Sequence, residues 1–164
     1  NSTSLKSAAG CEICPRGFAC SLGASVPQPC EAGRFGATPG QTSRQCTGAC
    51  IPGYYCNEGS TSNTSEICPK GRFNSNFGGT SFDACVPTPR GSFASTAGAK
   101  SATVCSPGHH QPAEAQSECI ACDAGQYAPE PGLFECLISP RGMCSPTAGA
   151  SHATACSAGY HQPA

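Results

Sequence analysis

The chain has 164 residues, of which 15 are cysteine, and a formal net charge of −1 from 9 basic and 10 acidic residues. Leu, Ile, Val and Phe together fill 19 positions and there is no Trp, so a conventional hydrophobic core is excluded. The balanced charge, without blocks of one sign, argues against a nucleic-acid partner. Disulfides must supply the missing stability, which predicts a small disulfide-rich fold in an extracellular or cell-surface location.

One short motif, Cys-x-x-Gly-x-aromatic, recurs along the chain. It reads CEAGRF at 30–35, and related copies occupy 14–20, 50–56, 68–73 and 122–127. Glycine at the fourth position suits a tight turn, and no segment shows a sustained helical period. The pattern therefore predicts short β-hairpins joined by turns, with little or no helix, and an aromatic side chain that packs over a neighbouring cystine.

The chain also resembles itself over longer distances. Residues 88–105 match residues 139–156 at an offset of 51, and the first half repeats every 36 to 39 residues. The predicted domains are a linker or the end of a preceding module at 1–10, cysteine-rich modules at 11–46, 47–85 and 86–136, the third with an extra loop, and a partial fourth module at 137–164. Both ends fall inside a module, so we expect the sequence to be part of a longer array.

The internal repeats also predict the short disulfides. Cysteines flank the motif glycine at both 14–20 and 50–56, whereas the third copy has Pro89 and Ala94 at these places. Because disulfide partners are expected to be lost together, we predict the bridges Cys14–Cys20 and Cys50–Cys56.

Longer loops account for the remaining cysteines. The predicted bridges are Cys30–Cys46, Cys68–Cys85, Cys105–Cys119 and Cys122–Cys136. Each closes a loop whose chain entropy corresponds to roughly 3 kcal/mol of stability. By elimination Cys144 pairs with Cys156, unless Cys156 closes a loop further downstream as Cys105 does. Cys11 is left for a partner upstream.

A zinc site is the alternative use of these cysteines. Cys11–Cys14 and Cys119–Cys122 have the Cys-x-x-Cys spacing of zinc ligands. The histidines available to complete such a site are His109, His110, His152 and His161. However, cysteines continue regularly outside any set of four ligands, and the histidines stand at module positions held elsewhere by Phe or Tyr, as His110 matches Phe35. We therefore predict no metal and no cofactor.

The order CIPGYYC at 50–56, followed by CPKGRF at 68–73 and a closing Cys85, resembles the ephrin-receptor-like cysteine-rich repeat. This repeat is related to the tumour-necrosis-factor-receptor and EGF-like modules. The resemblance covers nearly the whole chain and implies an elongated stack of cystine modules without catalytic residues. Tandem repeats of this kind occur in surface proteins of algae and other protists, some of which form fibrous coats or flagellar hairs (mastigonemes).

Two sequons, at Asn1 and Asn63, predict N-glycans on exposed loops. The Ser/Thr-rich stretches 92–103 and 145–154 could equally carry O-glycans or be bare loops. Calcium is not expected, because Asp83 and Asp123, the two aspartates, have no acidic neighbours.

The function predicted from these features is structural. We expect a glycoprotein that forms part of an extracellular filament, flagellar hair or cell-surface stalk, and that self-associates or joins further modules of a longer chain. No acid–His–nucleophile arrangement is recognisable, so an enzyme is not predicted. Arg90 and Arg141 are interpreted as surface charges beside turns. No apolar run is long enough to span a membrane. The alternative is a receptor or adhesion ectodomain that binds a protein or glycan ligand.

Overall fold

The computed structural model describes residues 11–158, and within this range the chain forms eight antiparallel hairpins of two-residue strands. The strands are β1 Phe18–Ala19, β2 Gln28–Pro29, β3 Arg34–Phe35, β4 Gly48–Ala49, β5 Tyr54–Tyr55, β6 Glu66–Ile67, β7 Arg72–Phe73, β8 Val86–Pro87, β9 Ser92–Phe93, β10 Thr103–Val104, β11 His109–His110, β12 Ile120–Ala121, β13 Gln126–Tyr127, β14 Leu137–Ile138, β15 Met143–Cys144 and β16 Thr154–Ala155. A single 3-10 turn, Phe82–Ala84, is the one helical element of the described range. The predicted fold class is confirmed.

Each hairpin is opened by a glycine in a left-handed conformation, with φ between +77° and +88°. These opening glycines are Gly17, Gly33, Gly53, Gly71, Gly91, Gly108, Gly125 and Gly142. Each carbonyl accepts a hydrogen bond of 2.8–3.0 Å from the backbone N–H that follows the return strand, as Gly53 does from Cys68. We number the hairpins, each with its opening turn, as units 1 to 8.

The repeating unit is thus 16 to 20 residues long, which is shorter than the spacing at which the cysteine pattern recurs. An offset of 51 residues corresponds to three units in the second half of the chain. The module boundaries predicted at 46/47, 85/86 and 136/137 each fall between the two strands of one hairpin.

Consecutive units are joined by backbone hydrogen bonds at equivalent positions. Between units 3 and 4, the N–H groups of Gly53 and Cys56 donate to the carbonyls of Asn74 and Gly79, at 2.8 and 2.9 Å. The N–H of Gly78 donates in the opposite direction, to Cys50, at 2.8 Å. The same three bonds, 2.7–3.1 Å long, recur at all seven junctions between units 1 and 8. The described chain is therefore one continuous stack of units.

Units two apart also touch, through the opening glycines. A Cβ built on Gly53 of unit 3 would overlap the carbonyl group of Gly98 in unit 5. The opening glycines of units 1 to 6 all approach the carbonyl of the equivalent residue two units further along. Glycine is needed here for two reasons, because φ is positive and because no space remains for a side chain.

Cysteines fill most of the interior in place of a hydrophobic core. Within residues 11–158 the buried apolar residues are all cysteine or alanine, and larger apolar side chains such as Ile67, Val104 and Ile138 remain exposed. The side chain of His110, in an aromatic position of the motif, lies against a cystine, with Nδ1 3.0 Å from Sγ of Cys136.

Candidate functional site

The six disulfides of the described range join the six pairs predicted with unambiguous partners from the internal repeats, Cys14–Cys20, Cys30–Cys46, Cys50–Cys56, Cys68–Cys85, Cys105–Cys119 and Cys122–Cys136. Their Cα atoms lie 5.5–6.2 Å apart, which is the usual distance for a disulfide. The first cysteine always stands three residues before the opening glycine. Its partner stands either three residues after that glycine or near the start of the return strand.

The predicted Cys144–Cys156 bridge is not formed, and that prediction was wrong for this structure. Cys144 occupies the aromatic position of the motif, two residues after Gly142, rather than either position used by the six bridges. The Cys144 sulfur lies 3.8 Å from Oγ1 of Thr154 instead. Partial burial and, after it, the interaction with the neighbouring Cys144 raise the pKa of the Cys156 thiol. Cys11 is an exposed thiol, and the upstream partner predicted for it lies outside the described residues.

Unit 5 lacks a bridge and uses a threonine in its place. The third residue before Gly91 is Thr88, so Thr88, rather than Pro89 as predicted, corresponds to the first cysteine of the other units. Thr88 is fully buried. Its hydroxyl donates to the carbonyl of Gln116 at 3.3 Å and accepts from the N–H of Gln116 at 3.1 Å. A side-chain hydrogen-bond pair across the junction with unit 6 thus stands where other units have a cystine.

Unit 8 also lacks a bridge, and two serines occupy the positions that cysteines hold in a short bridge. Ser139 and Ser145 flank Gly142 at the positions that hold Cys14 and Cys20 in unit 1, and both serines are buried. The hydroxyl of Ser139 donates to Oγ of Ser145 at 2.9 Å. The match of residues 139–144 to 88–93 contains this substitution, but serine alone carries no sign of a buried pair.

Arg90 is a further residue whose role the sequence concealed. Its Nε donates to the carbonyl of Pro112 at 2.8 Å, and its guanidinium carbon lies 4.5 Å from the ring centroid of Phe134. Arg90 therefore connects units 5, 6 and 7, and is more than the turn-flanking surface charge that was predicted. Arg141, at the equivalent position of unit 8, is exposed as expected.

Within residues 11–158 one group of metal-ligating residue types comes together, at His110, Cys122 and Cys136, whose ligand atoms lie within 4.8 Å of one another. The two cysteines are bonded to each other, so neither offers a thiolate to an ion. The zinc alternative meets the same obstacle, because Cys14 and Cys119 are also in disulfides. His161 lies outside the described residues.

The exposed polar groups include one adjacent nucleophile and base. Oγ of Ser151 lies 3.1 Å from Nδ1 of His152, on the surface of unit 8. Within the described chain no acidic group is hydrogen-bonded to His152, so the third member of a triad is missing from this pair.

Asn63 lies in the loop between β5 and β6, and it is half-buried. Its backbone carbonyl accepts a 3.2 Å hydrogen bond from the N–H of Ile51, which fixes the loop to the start of unit 3. Asn1, the other predicted glycan site, lies outside the described residues. Of the Ser/Thr-rich stretches, Ser92 and Ser145 are buried whereas Ser95 is exposed.

Comparisons with protein-family models and with curated proteins found no match for this chain. Between residues 11 and 158 no helix has the length and hydrophobicity that crossing a membrane requires.

Proposed function

We propose that this chain is a structural component of an extracellular filament, flagellar hair or cell-surface stalk. The observation that supports it most directly is the unbroken hydrogen-bond ladder, with three equivalent backbone bonds at each of the seven junctions. Because every junction uses backbone groups, units of different sequence can be added in succession. Length is gained in this way without enlarging a core.

Disulfides and their replacements make such a stack durable. The four longer bridges close loops of 14 to 17 residues, and each stabilises its loop by roughly 3 kcal/mol. Bridges of this number persist in oxidising compartments, which supports a secreted or surface location. The side chains thus stabilise individual units, while the backbone connects them.

The resemblance to ephrin-receptor-like repeats agrees with this function and remains part of the proposal. An N-glycan on Asn63, the absence of catalysis and the absence of a cofactor are also part of the proposal. The position of Asn63 is compatible with such a glycan, because Asn63 lies in a polar loop and its side-chain amide nitrogen has no hydrogen-bond partner among the described residues.

Small-angle scattering and electron microscopy of the purified oxidised chain test the proposal. We expect an elongated particle whose pair-distance distribution has a long tail, and end-to-end assemblies at high concentration. The fully reduced chain is the control, and it should scatter as an expanded coil. A compact globular particle that never self-associates would contradict the proposal.

A further inference from the structure

Charge is divided unevenly between neighbouring parts of the stack. Residues 101–140, which contain most of units 6 and 7, include no Lys or Arg. Their five carboxylates are Glu114, Glu118, Asp123, Glu130 and Glu135. Units 4 and 5, over residues 68–104, have the opposite excess. Their charged residues are Lys70, Arg72, Arg90 and Lys100 against the single acid Asp83. A basic pair of units is thus followed directly by an acidic pair.

The acidic charges are not used inside the chain. All five carboxylates of units 6 and 7 are exposed, and the one ion pair within the described range, Arg44–Glu58, lies elsewhere. Arg72 stacks on Phe82 of its own unit at 4.9 Å, whereas the Arg90 guanidinium lies over Phe134 of unit 7 at 4.5 Å, so the free cations of units 4 and 5 are the two lysines. Lys70 and Lys100 are exposed and have no hydrogen-bond partner in the described structure. Both surfaces therefore present unpaired charge of opposite sign.

Exposed apolar side chains accompany both sets of charges. Unit 7 has a shallow hollow of about 410 Å³ formed by residues 133–138, which include Glu135. At its edge Ile138 is 75% exposed. In unit 4, Phe77 and Val86 are 69% and 49% exposed. Apolar side chains exposed in the same units as unpaired charge are typical of a surface that becomes covered by a partner.

We propose that units 4 and 5 of one copy of this chain dock sideways on units 6 and 7 of a second copy. The chain itself contains both complementary surfaces, which identifies a second copy as the partner. A displacement of two units along the stack places cations opposite carboxylates, whereas alignment in register would place like charges together. Because the displaced contact leaves one surface free on each copy, it can continue and form a bundle of staggered chains. This inference rests on the proposed structural function and specifies how the chains associate.

Sedimentation velocity of the wild-type chain and of the variant Glu130→Lys/Glu135→Lys tests the contact. At about 20 mM salt the wild type should associate, and in about 1 M salt, where the screening length is roughly 3 Å, association should weaken at least tenfold. The variant should lose association at low salt to the same extent. The variant Lys70→Glu/Lys100→Glu, which alters the surface of units 4 and 5, should also lose association at low salt.

Mixing the two variants supplies the decisive comparison. An equimolar mixture of Glu130→Lys/Glu135→Lys with Lys70→Glu/Lys100→Glu should recover pairwise association to within about threefold of the wild type, because the unaltered units 4 and 5 of the first variant can dock on the unaltered units 6 and 7 of the second.

The matched control is Glu12→Lys/Glu66→Lys, which has the same net charge as the acidic-surface variant but changes exposed carboxylates outside units 6 and 7. Alone it should associate as the wild type does. If it loses association as fully as the unit 7 variant, or if the unit 7 variant and high salt leave association unchanged, the sideways contact is refuted. Scattering at high salt separates the two proposals, because an elongated particle without sideways association refutes only this inference. A compact particle refutes the structural function itself.

Discussion

Replacing Gly53 with alanine should disrupt the stack at a distance from the mutated unit. The new Cβ would overlap the carbonyl group of Gly98, which lies two units further along the stack. That carbonyl cannot retreat without moving its turn, which is bonded to unit 4. There the Gly98 N–H donates to Cys68 at 2.8 Å, and the Ala99 carbonyl accepts from Asn74 at 3.1 Å. We therefore expect units 3 to 5 to lose stability together.

The magnitude follows from two contributions. Alanine at φ +87° costs about 1–2 kcal/mol wherever it occurs in this conformation. Displacing the Gly98 turn weakens at least two backbone hydrogen bonds, each worth about 0.5–1.5 kcal/mol. The sum is about 2–5 kcal/mol. Gly125 is the matched control, because it opens unit 7 with φ +88° but has open space where a Cβ would lie. Gly125→Ala should therefore cost only about 1–2 kcal/mol.

Hydrogen exchange followed by mass spectrometry measures both variants, since it reports stability unit by unit. Gly53→Ala should reduce protection of the Asn74 and Gly98 amides about 30- to 5,000-fold. Gly125→Ala should reduce protection about 5- to 30-fold, and only near unit 7. Equal losses in the two variants would refute the idea that contacts between units two apart stabilise the stack. Protection of the Gly98 amide at the wild-type level in the Gly53→Ala variant would refute the same idea.

Three further predictions concern the units without bridges and the free thiols. In a Cys144→Ser background, Ser139→Cys/Ser145→Cys should form a disulfide, detected as a 2 Da mass loss and worth about 2 kcal/mol; two persistent thiols would contradict the assigned equivalence with the short bridges. Thr88→Val should destabilise unit 5 by about 1–3 kcal/mol in the same exchange experiment because it removes the hydrogen-bond partner of the half-buried Gln116 amide, whereas Thr88→Ser should keep most of the protection. Because its pKa is raised, Cys156 should form thiolate only at higher pH than an ordinary thiol and react slowly with iodoacetamide near pH 8.5; Cys144→Ser should lower that pKa and speed the reaction, and an unchanged rate would argue against coupling of the two thiols.

The disulfide pairs could be predicted from the sequence because two bonded cysteines are present together or absent together in a repeat. Cys50 and Cys56 are present together in one repeat and absent together in another, and a bridge fixes both ends at once. The turns were equally accessible, because glycine recurring at a fixed place in the motif reports a local backbone conformation. Hairpins, near absence of helix and six bridges all follow from such local or covalent signals.

The length of the structural unit was harder to predict. Cysteine is not needed in every unit, since Thr88 in unit 5 and Ser139 in unit 8 replace it with hydrogen bonds. Short and long bridges also alternate along units 1 to 4, so the cysteine pattern recurs only every two or three units, and it places boundaries inside hairpins. The backbone bonds that define the true unit have no side-chain signature.

Contacts between distant residues were decided only by the tertiary structure. Gly53 and Gly98 are separated by a whole intervening unit, and both would remain glycine whether or not they touched, because each also needs a positive φ. Arg90 likewise resembles any charge beside a turn until stacking brings Pro112 and Phe134 to it. The sequence thus determined how each unit is turned and bridged, since these properties belong to short segments and covalent pairs. Only the stacked structure determined which units meet, because that depends on backbone groups and on surfaces that exist once neighbouring units are in place.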